Sequence, residues 1–232
     1  LEMRDGFEVS REAFEKVAVQ LGFTRPEGSH AYDVGIAQFQ RFLTAYRALG
    51  RKVLEEVRNN PDRVYIALLG RPYNAFTRDA NMGIPRKFTS QGVTLIPFDM
   101  IYEDDAEIPP NNYWYFGQQN MKAVQQVKKT DNLYLTWVSN FSCAPDSFLL
   151  HYVRWLMGQK PYLVLEIDSH TADAGLDTRV EAFLDIVESY RRHVQPAPDK
   201  PFQRRYSIAL KEEFCDVVDH KTGRRLDIRD PL

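Results

Sequence analysis

The chain has 232 residues, 44% of them apolar and 27% charged, with a formal net charge of −2. That balance excludes a disordered polymer, and the length lets one large domain or two small ones bury a core. Without a clustered excess of Lys and Arg nothing marks a nucleic-acid partner, and no apolar run is long enough to span a membrane. The basic clusters Arg191-Arg192-His193 and Arg204-Arg205 flank Pro-rich segments and read as solvated surface. Two cysteines, Cys143 and Cys215, cannot build a disulfide framework and suit a reducing, cytoplasmic compartment. The chain opens on Leu-Glu-Met-Arg-Asp-Gly, with no signal-peptide pattern, and the expectation is a domain cut from a larger protein.

In chain order, Ser10 is a candidate N-cap for a short helix with Phe14, Val17 and Leu21 on one apolar face. Thr24 to Ser29, with Pro26 and Gly28, reads as a loop. A long helix follows, striped by Tyr32, Ile36, Phe39, Leu43, Tyr46, Val53 and Val57, and Asn59-Asn60-Pro61 should stop it. Val64 to Leu69, ended by Gly70, is a continuous apolar run of the kind buried on both faces of a sheet. Similar runs recur at Val93–Pro97, Leu133–Val138 and Tyr162–Ile167, with helical patterns near Pro85–Gln91, Gln118–Lys128, Asp146–Met157 and Asp177–Tyr190.

Strands alternating with helices predict an α/β fold: a small Rossmann- or flavodoxin-like parallel sheet of about four strands with flanking helices. The N-terminal helices (1–60) should pack on this sheet domain (61–193). Val194 to Pro201 reads as a stiff linker. Beyond it, Tyr206–Leu210, Phe214–Val218 and Arg225–Ile228 read as short strands with Lys221-Thr222-Gly223 as a turn. The extension 194–232 is thus a linker and β-hairpin.

Ligands of open α/β sheets sit outside the carboxyl ends of the strands. The loops leaving those ends here are Gly70 to Asn74 with Arg78 to Pro85, Ser139 to Ser147, and Glu166 to Gly175. Cys143 falls between a strand and a helix, where the helix dipole and free amides would favour thiolate, for nucleophilic or metal-ligand chemistry. A small buried hydrophobe under the helix start explains it equally well. No second cysteine stands at metal-ligand spacing, so this chain alone should not close a metal site. Cys215, in a strand-like tail, reads as structural.

Asp168, His170 and Asp173 contain a carboxylate–imidazole pair usable in acid–base or ligand chemistry. Capping and loop hydrogen bonding is the stronger reading of them. Arg71 and Arg179 are candidate anion clamps, though Arg179 suits an ion pair with Asp168, Asp173 or Asp177 equally well. No Walker loop, no Gly-x-Gly-x-x-Gly, no His-Glu-x-x-His and no Gly-x-Ser-x-Gly is present. ATP hydrolysis, hydride transfer and serine hydrolysis therefore have no motif. The run Tyr113-Trp114-Tyr115-Phe116 reads as core or as a packed lid.

Four loop motifs, Gly70-Arg71-Pro72-Tyr73-Asn74, Asn81-Met82-Gly83-Ile84-Pro85, Asn140 to Ser147 around Cys143, and Asp168 to Gly175, resemble one family. It is the superfamily of 2-hydroxyglutaryl-CoA dehydratase and benzoyl-CoA reductase components. The likeness is greatest to the fused proteins called CoA-substrate-specific enzyme activases, and it runs from about Arg41 to Val187.

The resemblance implies an oxygen-sensitive cytoplasmic system in which an ATP-driven activator passes a low-potential electron to an iron–sulfur component. Cys143 matches a cysteine that holds a [4Fe–4S] cluster. Arg71, Asn74, Asn81, Asp168 and His170 would then shape the cofactor's surroundings. The remaining cluster ligands and the ATPase module are not in this sequence and would lie upstream of Leu1. This piece alone should retain no cluster and be inert. Its implied partners are an ATPase activator domain and iron–sulfur component domains. A cofactor-free interaction domain, or a CoA or anion module using Arg71 and helix amides, are the alternatives.

Overall fold

The computed structural model describes residues 7–108, 112–140, 143–168 and 170–193, together with the strand backbones at 206–210, 215–219 and 225–226. The expected linker at 194–201, Arg204-Arg205, the turn at 221–223 and the side chain of Cys215 lie outside the described residues. The chain divides into two compact units between Arg191 and Arg192.

The first unit opens with a short 3-10 turn and two helices, α1 (Arg11–Gln20) and α2 (Arg25–Asn59). Helix α2 begins inside the stretch expected to be a loop. Thr24 is its N-cap, and its hydroxyl accepts the Glu27 N–H while the Glu27 carboxylate accepts the Thr24 N–H. Pro26 falls in the first turn, where no backbone N–H is needed, so proline starts this helix rather than breaking it. At the other end α2 stops at Asn59, as the Asn-Asn-Pro signal requires.

The 35 residues of α2 pack unevenly. Gly28 and Tyr32 meet α1, while Gly50, Leu54 and Val57 are buried against the rest of the unit. Gly50 is obligatory, because a Cβ there would stand 1.9 Å from the Met100 carbonyl oxygen. Between these anchors the helix is open to solvent, with Val34, Phe39 and Phe42 exposed. Val17 of α1 and Leu21 just after it, expected on one apolar face, are exposed as well. With Phe14 and Ala31 they line a shallow apolar groove between the two helices.

The sheet has four parallel strands, β1 (Tyr65–Gly70), β2 (Thr94–Pro97), β3 (Leu133–Asn140) and β4 (Tyr162–Ile167), in the order β2-β1-β3-β4. All six residues of β1 are buried, which is why its sequence is an unbroken apolar run rather than an alternation. Short helices α3 (Pro72–Ala75), α4 (Ile84–Thr89) and α5 (Phe98–Ile101) and long helices α6 (Tyr115–Lys129), α7 (Ala144–Met157) and α8 (Asp173–His193) complete the unit. Two cores flank the sheet. Leu135 and Trp137 of β3 meet α6 and α7 through Val124, Leu149 and Val153. Tyr134 and Val138, on the opposite pleat, meet α4 and α8 through Phe88, Val180 and Phe183.

The second unit is a three-stranded antiparallel sheet of β5 (Tyr206–Leu210), β6 (Cys215–Asp219) and β7 (Arg225–Leu226). No described helix is long and apolar enough to cross a membrane.

Candidate functional site

Sheet order locates the crevice. From β1 the chain turns to α4 on one face, and from β3, its immediate neighbour, it turns to α7 on the other. Adjacent strands whose connections diverge to opposite faces leave a gap at their carboxyl ends, the place where open α/β sheets take ligands. Arg71 follows β1 and Cys143 follows β3, so the two residues face each other across this gap.

Their side chains meet. Arg71 Nη2 donates to the Cys143 sulfur, which also accepts the Asp146 backbone N–H at 3.5 Å as the N-cap of α7. Cys143 is half-buried. Asp146 anchors the arrangement. Its carboxylate, 2% exposed, lies 3.5 Å from Arg71 Nε and accepts the Ser139 hydroxyl at 2.7 Å. Burial acts to lower the pKa of the Arg71 guanidinium, but Asp146 and Cys143 outweigh it and the net shift is upward. Arg71 is therefore a permanent cation at the mouth of the sheet.

Gly70 and Asn120 fix the end of β1. Gly70 has φ +135°, and a Cβ there would stand 2.4 Å from the Val138 carbonyl oxygen. Asn120, buried in α6, accepts the Gly70 N–H at 2.9 Å and donates to the Gly70 carbonyl at 3.1 Å. One amide thus pairs both backbone groups of the residue before Arg71, which aims the loop.

A hollow of about 260 Å³ opens beside this cluster, lined by Arg71, Asn120, Trp137, Asp146 and the start of α6. The aromatic run is not core: Tyr113 and Tyr115 are exposed, and Trp114 and Phe116 stand 40% and 39% exposed. Trp114, Tyr115 and Phe116 form a wall of the hollow, with Trp114 edge-on to Phe148 of α7.

Other candidates from the sequence sit apart from it. Asn74 is buried on α3, with its Nδ2 unpartnered. Asn81 spends its amide on its own loop, donating to the Ala75 carbonyl and accepting the Gly83 N–H. Asp168 closes the turn after β4, accepting the His170 N–H at 2.8 Å and the Thr171 hydroxyl at 2.9 Å. Those two donors, the His170 N–H first, hold its carboxyl below the usual carboxylate range. The His170 ring is 90% exposed, with Nδ1 3.8 Å from Asp168 Oδ2. Arg179 donates to the Val164 carbonyl, while Lys87 takes both Asp173 and Asp177.

The sequence reading missed Asp146, Asn120 and Trp137. For Asn120 a signal existed: it interrupts the stripe Gly117, Met121, Val124 and Val127, and a polar side chain on an apolar stripe has a buried task. Asp146 resembled an ordinary first-turn acid, and nothing local shows that it pairs with a residue 75 positions away.

Residues 1–101 match the family model described as CoA enzyme activase uncharacterised domain (DUF2229). The matched family is that of the CoA enzyme activases. It is the family the loop motifs resemble. The CoA enzyme activase match takes in α1, α2, β1, β2, Arg71, Asn74 and Asn81. It ends at Ile101, before Cys143, Asp168 and His170. A search of curated proteins finds no match.

Proposed function

We propose that this chain is the part of a CoA enzyme activase that offers Cys143 as one thiolate ligand of an iron–sulfur site, serving low-potential electron transfer in the longer protein. The contact of Arg71 with the Cys143 sulfur, at the gap between β1 and β3, carries the reading. The donor set fits part of such a group. A sulfur at a helix start, on a half-buried cysteine and facing hydrogen-bond donors, is the setting in which iron–sulfur cysteines are held and tuned. Among the described residues no three His, Cys, Asp or Glu side chains stand together to share a metal. The remaining ligands would therefore come from another segment of the longer protein or from a partner.

A bound cluster would supply a one-electron carrier. The chain's own residues do the positioning. Asn120 and Gly70 set the course of the loop after β1, Asp146 and Ser139 hold Arg71, and Arg71 together with the Asp146 N–H fixes the sulfur. Asp168 and His170 would lie on the same sheet edge, around the neighbouring loop. Dehydratase components and an ATPase activator are the partners that family membership suggests.

The longer protein, purified without oxygen, should contain iron and acid-labile sulfide, and Cys143→Ala should lower both in proportion. Unchanged iron and sulfide in Cys143→Ala would remove the ligand assignment. Absence of iron from the unsubstituted protein would favour a cofactor-free domain.

A further inference from the structure

Helix α2 carries a face that nothing among the described residues covers. Ala31, Gly35, Gln38, Phe42, Ala45 and Leu49 are all exposed. Their alternating spacing of four and three residues is the a/d repeat by which two helices pack along each other. Gln38 is the one polar member of the stripe.

The glycines of α2 mark this face off from an ordinary solvated one. Gly28 and Gly50 each seat a neighbour. A Cβ would stand 2.7 Å from the Ala18 Cβ at the first and 1.9 Å from the Met100 carbonyl oxygen at the second. Gly35 has nothing within 4 Å among the described residues, although an interior helix glycine costs stability relative to alanine. Its missing side chain leaves room for a close approach from outside.

We propose that this face pairs with the same face of a second copy of the chain, the two α2 helices antiparallel about a two-fold axis near Gln40. Side-chain sizes select that partner and that direction. The small residues Ala31 and Gly35 lie in one half of the stripe, and the bulky Phe42 and Leu49 lie in the other. Antiparallel pairing sets Ala31 against Leu49, Gly35 against Ala45 and Gln38 against Phe42, each layer formed twice. A parallel pair would press Phe42 on Phe42 and leave Gly35 facing Gly35 across a void. Charge agrees with size. The antiparallel register brings Glu27 beside the partner's Lys52, and the reverse at the other end, whereas a parallel one would set like charges together.

The groove between α1 and α2 widens the contact. Val17, Leu21 and Phe23 line it beside Ala31 and are exposed, so the partner's Leu49 enters an apolar channel rather than water. From Ala31 to Leu49 the stripe runs about 27 Å. With α1 alongside at the spacing of packed helices, the face covers on the order of 500 Å² a copy. Two copies then reach the roughly 1,000 Å² that a specific interface needs.

Sedimentation equilibrium of the 232-residue chain should show a reversible monomer–dimer equilibrium with a Kd in the micromolar range. Phe42→Glu and Leu49→Glu, at exposed positions outside the core of the monomer, should each weaken it about 30-fold or more. Lys52→Glu should weaken it about 5-fold. Cross-linking reads the direction. Oxidised with diamide, the double variant Ala31→Cys/Leu49→Cys should give a covalent dimer, and Ala31→Cys alone should give no more than the unsubstituted chain. Within one copy the two introduced thiols stand about 27 Å apart, too far to join each other. A chain that stays monomeric at millimolar concentration would overturn the proposal and leave the face to a different protein. Dimers unweakened by Phe42→Glu, or cross-linking of Ala31→Cys alone as complete as that of the double variant, would overturn it as well.

Discussion

Asp146 shows how much one buried carboxylate organises. It receives the Ser139 hydroxyl, pairs with Arg71, and through its own N–H reaches the Cys143 sulfur. Asp146→Ala removes the counter-charge of a guanidinium that is itself a quarter exposed. A loss of about 2 kcal/mol is expected, below the range for a fully buried pair because solvent partly screens Arg71. Urea unfolding of the two proteins measures it, and a change under 0.5 kcal/mol, ordinary for surface substitutions, would mean that the pair is not structural.

Lys160 offers a second check at this scale. Its amine, buried under the end of α6, donates to the carbonyls of Val127 and Thr130. Burial pushes its pKa down to about 8 from the ordinary 10.5. Between those values the unfolded chain holds the proton that the folded chain has released, so this group makes stability rise with pH from about 8 upward. Tyr102 and Tyr134, pushed up to about 12 by burial, act in the opposite sense above their ordinary value of 10.0. The lysine effect is therefore clean only up to about pH 9.5. In that window Lys160→Met should flatten the rise in urea midpoint, and an unchanged slope would assign it to another group.

Elements were more legible than their packing. Each sheet strand announced itself as an apolar run, and the strand ends nominated Arg71 and Cys143, because burial on both faces of a parallel sheet leaves a strong local signature. What failed depended on context. Pro26 and Gly28 looked like a loop although Thr24 and Glu27 spelled a capping box, a signal present in the sequence and outweighed by the prior on proline. Tyr113 to Phe116 read as core or as a packed lid, and the core half of that reading failed because aromatic density is the same whether a run is buried or walls a cavity. The juncture between β1 and α3 rests on Gly70. Gly70→Ala would combine a left-handed φ with a backbone clash, and a loss of about 3 kcal/mol or more is expected. Circular dichroism melting reads it directly, and a wild-type melting temperature would contradict the geometry.

For the whole molecule, the matched family segment and the folding unit do not coincide. Residues 1–101 supply β1 and β2, but β1 lies between β2 and β3. A chain of residues 1–101 would leave the β1 edge unpaired and the cores uncovered. It should lack cooperative unfolding in urea, whereas residues 7–193 should show it, and a cooperative transition in the short chain would refute the sheet order. The division of labour that follows is that the matched segment brings Arg71 and the rest brings Cys143 and Asp146. The cluster assignment depends on that meeting. Its most direct test is the electron paramagnetic resonance spectrum of the reduced longer protein, prepared without oxygen, beside that of Cys143→Ser. Replacing a sulfur ligand by oxygen should shift the g-values or abolish the signal, while spectra that superimpose would show that Cys143 does not touch the iron.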